Sequence, residues 1–325
     1  MINKLLGLTV LVGVLCPSVV QAETVRLWTK DGKTIEGSTN SATLHFMIDG
    51  ANKSIALKDV LSFNSGSPAS TEEGKVIATQ LPLVGNEERE IFEKAVAQLT
   101  DIGLPVMTPL LKSYKDTNAH EPDPGYRLFS RIMPYYADCP DRTLDILRLA
   151  NGDTLRGRLS RWDVTLTDDK ALKTAVSFDS IRRFAVRRKV IDRVLDVDTL
   201  RHCSYIEFLD SGLSLSAASA VSEEATGYAR LDFWKDFWET NAEGIKDPAP
   251  GVKLRKVNGQ YWGALIGRVG FAGERFHVGK KFSKSGIGVG RLYFAVNDNP
   301  HWENNMSGYR VKLHVTEAYD LGDPV

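Results

Sequence analysis

Val25-Arg26-Leu27-Trp28-Thr29-Lys30-Asp31-Gly32-Lys33-Thr34-Ile35-Glu36-Gly37 is echoed downstream by Leu147-Arg148-Leu149-Ala150-Asn151-Gly152-Asp153-Thr154-Leu155-Arg156-Gly157. Each copy alternates apolar and polar side chains, passes through Asp-Gly or Asn-Gly, and resumes as a second strand that ends on glycine. Those dipeptides suit type I′ hairpin turns, whose two central residues both need positive φ. Further alternating runs follow each copy, at 43–48 and 54–63 in the first and at 164–167 and 175–186 in the second. Short strands with tight turns at this spacing lead us to expect two small, strongly bent sheets, SH3-like β-barrel units at 23–65 and 143–203. Two copies make a duplication and not a solenoid, which needs about three units.

Between the copies the period changes, and 66–142 reads as a linker and helical insert. Residues 65–70 are rich in Gly, Ser and Pro. Asn86-Glu87-Glu88-Arg89 is suited to starting a helix, with Ile91, Ala95, Leu99 and Ile102 at helical spacing and Gly103-Leu104-Pro105 ending it. Two more short helices are expected at 106–114 and 126–136. His120, Glu121 and Asp123 between them are metal-ligand types, yet on a Pro-rich loop the plainer reading is solvation.

The first residues carry one positive charge, a short apolar run and the small-residue pattern Val20-x-Ala22. These are the parts of a secretory signal peptide at 1–22, cleaved after Ala22. The apolar run is shorter than the ~20 residues of a spanning helix, and no later run is long enough either, so no membrane span is expected. Cys16 raises lipidation, but Leu15 before it is bulky, which favours soluble export to the periplasm or beyond. Without Lys4 the balance is 40 basic against 41 acidic side chains, from 41 of each in the whole chain. That gives no electrostatic case for a nucleic-acid partner. Cys139 and Cys203 then remain, either as one disulfide or as two thiols.

Arg182-Arg183 and Arg187-Arg188-Lys189 form a basic run that Asp179, Asp192, Asp196 and Asp198 largely balance, and it reads as a solvated charged face. Past Cys203 the chain returns to short strands, at 204–209, 213–218, 263–269, 276–278, 291–296 and 309–316. The pattern predicts a β-sandwich or jelly-roll over 204–325, so the fold class is mainly β. Phe233, Trp234, Phe237 and Trp238 have the spacing of a short helix with one face in the core. Gly286-x-Gly288-x-Gly290 precedes a strand and opens no helix, so it reads as a flexible hairpin turn and not as a dinucleotide fingerprint.

The densest polar stretch is Asn297-Asp298-Asn299-Pro300-His301-Trp302-Glu303-Asn304-Asn305-Met306-Ser307-Gly308. Flanked by two strands, it is expected to be an exposed loop. Asp298 with Asn304 and Asn305 gathers the hard oxygen donors that Ca²⁺ takes in a shell of about six to eight. His301 offers a hydrogen bond and Trp302 a flat apolar face for a sugar ring. Composition alone also fits an ordinary Asx-rich turn.

The blocks around that loop add to the reading. Tyr261-Trp262-Gly263-Ala264-Leu265-Ile266-Gly267-Arg268-Val269-Gly270, Phe276-His277-Val278-Gly279, Gly290-Arg291-Leu292-Tyr293-Phe294-Ala295-Val296-Asn297-Asp298 and Asn304-Asn305-Met306-Ser307-Gly308-Tyr309-Arg310-Val311 resemble the PA-IL-like family of bacterial galactose-binding lectins. Asp210-Ser211-Gly212-Leu213 and Thr226-Gly227-Tyr228-Ala229 fit its early strands. The resemblance covers roughly 206–315. It implies a β-sandwich in which one Ca²⁺ bridges the protein and two hydroxyls of a galactose-like sugar. On that resemblance Asp298 binds both metal and sugar, Asn304 and Asn305 bind the metal, and a backbone carbonyl near Trp302 completes the shell. Sugar contacts are then expected from Asp298, His301, Trp302 and Asn305.

Two departures bear on specificity. Met306 splits the family's Asn-Asn-Ser-Gly string, and its sugar-contacting His and Gln have no counterpart between Glu239 and Gln260. No Gly-x-Ser-x-Gly elbow, His-Glu-x-x-His or nucleophilic Cys/His signature is present, so no enzyme is expected. The sequence thus reads as an exported binding protein for a glycan or cell-surface polysaccharide. The rival is an envelope scaffold protein whose lectin-like domain has lost its sugar site.

Overall fold

The computed structural model describes residues 22–86, 88–115, 143–204, 208–231, 238–246, 256–257, 259–271, 273–298 and 305–322. The expected signal peptide over 1–21, the helix at 126–136, the residues His120, Glu121 and Asp123, the aromatic residues Phe233, Trp234 and Phe237, and Cys139 with any bridge to Cys203 lie outside the described residues.

Strands β1 (Glu23–Thr29), β2 (Thr34–Thr39), β3 (Thr43–Ile48), β4 (Ala51–Ala56) and β5 (Val60–Asn64) form the first copy. Helices α1 (Thr71–Gln80), α2 (Arg89–Ile102) and α3 (Met107–Lys115) follow. The second copy comprises β6 (Asp145–Leu149), β7 (Thr154–Arg161), β8 (Val164–Thr167), β9 (Lys173–Val176) and the start of β10 (Ile181–Asp198). Beyond it come β11 (Leu209–Arg230), β12 (Glu239–Thr240), β13 (Lys256–Val257), β14 (Gln260–Tyr261), β15 (Leu265–Val269), β16 (Phe276–His277), β17 (Lys281–Ser285), β18 (Gly290–Val296) and β19 (Met306–Asp320). The chain is mainly β. Among the described residues 17 of these strands join one antiparallel sheet, and β13 with β14 makes a separate hairpin.

The duplication is expressed as an exchange of strands. Each copy makes its own hairpins, β1 with β2 and β3 with β4, then β6 with β7 and β8 with β9. The remaining partners come from the other copy: β1 pairs β10, β5 pairs β6, β2 pairs β8 and β3 pairs β7. Leu27 faces Phe184 across one exchanged pair and Leu147 faces Phe63 across the other. The two phenylalanines meet where β5 pairs with β10, their rings stacked 5.2 Å apart and 15° from parallel. One core holds both copies, with Leu27, Leu44, Phe46 and Phe63 packed with Leu147, Trp162, Leu166 and Phe184.

The repeated glycines explain how strands of different copies approach so closely. A Cβ on Gly37 would lie 2.8 Å from the Thr167 carbonyl oxygen, and one on Gly157 would collide with that of Met47. The turns differ from expectation. Gly32 and Gly152 have positive φ, but Asp31 and Asn151 do not, so each hairpin closes through a three-residue loop ending in a left-handed glycine. The two-residue turn with both φ positive is at Asp49-Gly50, between β3 and β4.

The helices pack on one another through Ile77, Phe92, Ala95, Val96, Leu99, Val106, Met107 and Leu110. Helix α1, which begins directly after the Gly, Ser and Pro-rich stretch 65–70, has a reciprocal cap on the last residue of that stretch: Ser70 Oγ accepts from Glu73 N, and Ser70 N donates to the Glu73 carboxylate. That carboxylate is buried and takes two bonds from Arg182, Nε and Nη2, each at 2.6 Å. The basic run is therefore not a solvated face over its first half. Arg182 and Arg183 are buried, held by Glu73 and Asp101 of the helical insert, whose remote position in sequence hid the pairing.

Strand β10 leaves the duplicated unit and runs on as a partner of β19 over Arg187 to Asp198, and β19 pairs in turn with β11. Inward-facing Leu195, Val197, Val221, Val311, Leu313 and Val315 from these strands share a core with Leu265, Leu292, Phe294 and Val296 of β15 and β18. The outer side of β15 and β18 buries Ile266, Tyr293 and Ala295 against Phe208, where Arg268 lies 4.0 Å over the phenyl ring and 3.3 Å from Glu93 of α2. The glycine-rich segment Gly286 to Gly290 is not a hairpin turn. It connects β17 and β18, which pair with different stretches of β11. Among the described residues no helix is long and apolar enough to cross a membrane.

Candidate functional site

Strand β18 delivers Asn297 and Asp298 to the mouth of the loop, and Asn305 stands at its far end, immediately before β19. The expected exposed loop has buried ends: Asn297 is 0% exposed and Asp298 and Asn305 are each 2% exposed. The physical reason is a set of hydrogen bonds that the strand periodicity does not show. Asn297 Nδ2 donates to the carbonyls of Gln260 and Tyr261 at 2.9 and 3.0 Å, while its own backbone pairs with Ala264 and Gly263. Gly263 has φ +75, and its carbonyl accepts the Tyr309 hydroxyl at 2.6 Å, tying the turn to β19. Burial pushes the Tyr309 phenol above its ordinary range, so it remains a donor.

Asp298 is placed from the other side. Its backbone N donates to Ser204 Oγ at 3.3 Å, and Ser204 N donates to the Val296 carbonyl at 2.7 Å. Asn305 Nδ2 then donates to Asp298 Oδ2 at 2.6 Å and lies 3.4 Å from the Thr199 carbonyl. Asn305 Oδ1 is left buried without a hydrogen-bond partner. Two residues on, Ser307 adopts φ +68, a conformation costly for a side chain bearing Cβ, and its carbonyl takes both the Thr199 N–H and hydroxyl.

Two of the expected site residues, Asp298 and Asn305, therefore come together seven positions apart in sequence. His301, Trp302 and Asn304 lie outside the described residues. A buried amide oxygen with no partner beside a buried carboxylate is costly by about 1–3 kcal/mol unless something else satisfies it. Hard oxygens of this kind are the donors a Ca²⁺ ion takes. In donor chemistry the pair fits such an ion. Among the described residues no three His, Cys, Asp or Glu side chains gather as a metal cluster, but amide and carbonyl oxygens do not enter that set. Sequence reasoning missed Thr199 and Ser204, since nothing in a pattern of strands marks two hydroxyls from another segment as supports for a distant loop.

No family model matches the chain, and no curated protein matches it. The chain is similar to a solved structure described as "EclA N-terminal domain; PllA-like lectin", at 22% identity over 39% of this chain and 97% of that one, with a TM-score of 0.30. A likeness at that score decides neither fold nor function.

Proposed function

We propose that the chain is an exported carbohydrate-binding protein whose C-terminal part, 204–325, is a lectin-like β-sandwich with a Ca²⁺ site at the 297–308 loop. The observation that carries this reading is the buried Asp298–Asn305 pair with its unpartnered Asn305 oxygen. It is supported by the ordered blocks through which the sequence resembles the PA-IL-like lectins. Asp298 and Asn305 would hold the ion together with Asn304 and a carbonyl near Trp302. When bound, Ca²⁺ supplies coordination positions for two hydroxyls of a galactose-type sugar. This chain's own share is to place the Asp298 backbone through Ser204 and its carboxylate through Asn305, and to offer His301 and Trp302 to the ring. The duplicated strands of 23–65 and 143–203 belong to this reading as an SH3-like accessory unit, exported with the rest after cleavage at Ala22.

The test is thermal unfolding with Ca²⁺ and with EDTA, because a ligand that binds only the folded state raises stability by RT ln(1 + [L]/Kd). At a hundredfold excess over Kd the expected gain is about 2.7 kcal/mol, absent in Asp298→Ala. Equal melting of the wild type in Ca²⁺ and EDTA removes the metal from the proposal. A glycan array then decides the ligand. A blank array with protein partners co-purifying supports the rival reading, an envelope scaffold that has lost sugar binding, which the unmatched stretch 239–260 favours.

A further inference from the structure

A cavity of about 470 Å³ lies where β1, the C-terminal turn of α2, β11 and β18 converge, away from the Asp298 loop. Its size is that of a small-molecule site. Arg26, Arg183 and Arg291 face Glu36, Asp101 and Asp210 around it, with Trp28 and Phe271 among the walls. The six charges are not equivalent. Arg26 is committed, with Nε and Nη2 on Glu36 at 2.9 and 2.6 Å and Nη1 on Ser214 Oγ at 2.7 Å. Arg291 Nη1 holds Asp210 at 2.6 Å, both side chains about nine-tenths buried.

Asp101 is the exception. One oxygen, Oδ1, serves two buried arginines, accepting from Arg183 Nη2 at 3.2 Å and lying 3.6 Å from Arg291 Nε, while the side chain is 56% exposed. Arg183 is itself held in place, its guanidinium 4.3 Å over the Trp28 ring. Asp101 also stands in the last turn of α2, where the helix dipole disfavours an acid. A carboxylate there gains nothing from its helix, holds both partners at more than the usual charge-assisted length, and is readily solvated by water once released. The two arginines are pre-positioned for planar oxyanions, which they bind through charge-assisted bonds about 2.7–2.9 Å long.

We propose that this cavity binds a small organic oxyanion, a carboxylate or a phosphate monoester, whose oxygens take Arg183 and Arg291 in place of Asp101. The ligand's charge replaces the one that leaves, so the balance among the six groups is kept. Its body lies against Phe271, and Asp101 acts as a weak internal competitor on α2. The proposal stands apart from the calcium reading and needs none of the Asp298 residues.

Isothermal titration of the wild-type chain in buffer freed of Ca²⁺ by a chelating resin keeps the two sites distinguishable, because the loop site needs the ion and this one does not. The probes are inorganic phosphate, D-glucuronate and D-glucose. Phosphate or glucuronate is expected to bind and glucose to give no heat; which oxyanion binds tells phosphate ester from carboxylate. Asp101→Asn removes an exposed competitor and is expected to tighten that binding by about twofold to fivefold, the scale of a solvent-exposed ion pair. Arg291→Gln is expected to abolish it, with the melting curve checking that the fold persists. Absence of heat from both oxyanions at millimolar concentration overturns the proposal, as does glucose binding equally well. Unchanged or weaker oxyanion binding in Asp101→Asn overturns it too, and needs no other variant to fold.

Discussion

Glu223 stands on the inward face of β11, between Val221 and Ala225, and crosses from Phe282 of β17 to Leu313 of β19. It is 6% exposed, and both carboxylate oxygens are buried without a hydrogen-bond partner. Burial, reinforced by the nearby charges of Glu224 and Glu243, pushes its carboxyl up to about 8 from an ordinary value of 4.5. A raised acid favours the protonated form in the folded state. Its contribution is therefore fully present below about pH 4.5 and is lost as pH rises to about 8, with no further change above. At about 1.36 kcal/mol per unit, the loss by pH 7 is about 3 kcal/mol. Glu223→Gln keeps the shape and cannot ionise, so the difference between variant and wild type isolates this one group from every other titration. Urea unfolding of both proteins at steps from pH 5 to 9 is expected to give similar stabilities at the acid end and a Gln variant more stable by about 3 kcal/mol at pH 7, levelling off near pH 8. A difference that stays constant with pH refutes the reasoning, because it means the carboxylate finds water or a cation in the folded protein.

Two glycines give opposite expectations under the same measurement. Gly157→Ala forces a methyl group against the Met47 carbonyl where the two copies cross, and is expected to cost about 3 kcal/mol in urea unfolding. Gly74→Ala lies inside α1 with no atom within 4 Å of the new Cβ, and is expected to add about 0.5–1 kcal/mol.

The parts of this molecule legible in its sequence are those governed by neighbours in the chain. The positions of the Asp-Gly and Asn-Gly hairpins (though not their turn type), the stripe of Ala95 and Leu99 on α2 and the strands flanking Asp298 all follow from local period and composition. The start of helix α1 is legible, since Ser70 and Glu73 have the spacing of a capping box, although Gly74 weakens the helical run after it. The Ser, Ala and Gly residues of β11 look like breaks in the sequence. In the fold they are irregularities of register, near Asp210–Ser214 and Leu215–Ala220, at which one strand bends and changes partners. The exchange between copies left no local mark except the paired glycines Gly37 and Gly157. At the site, Asp298 and Asn305 were readable as oxygen donors. Their burial was not, because it depends on Ser204, Thr199 and the carbonyls of Gln260 and Tyr261, brought in from elsewhere in the chain.

The crossing of β1 onto β10 and of β5 onto β6 also sets a timetable. When residues emerge in order, the first copy has two open flanks: that of β5 can close once Leu149 has been made, and that of β1 only once the chain has reached Val186. Throughout that interval its unpaired strand edges are templates for any other extended segment, including the same segment of a neighbouring chain. A truncation that ends inside the helical insert keeps those flanks open for good, and is expected to collect as β-paired aggregates where the full-length chain does not.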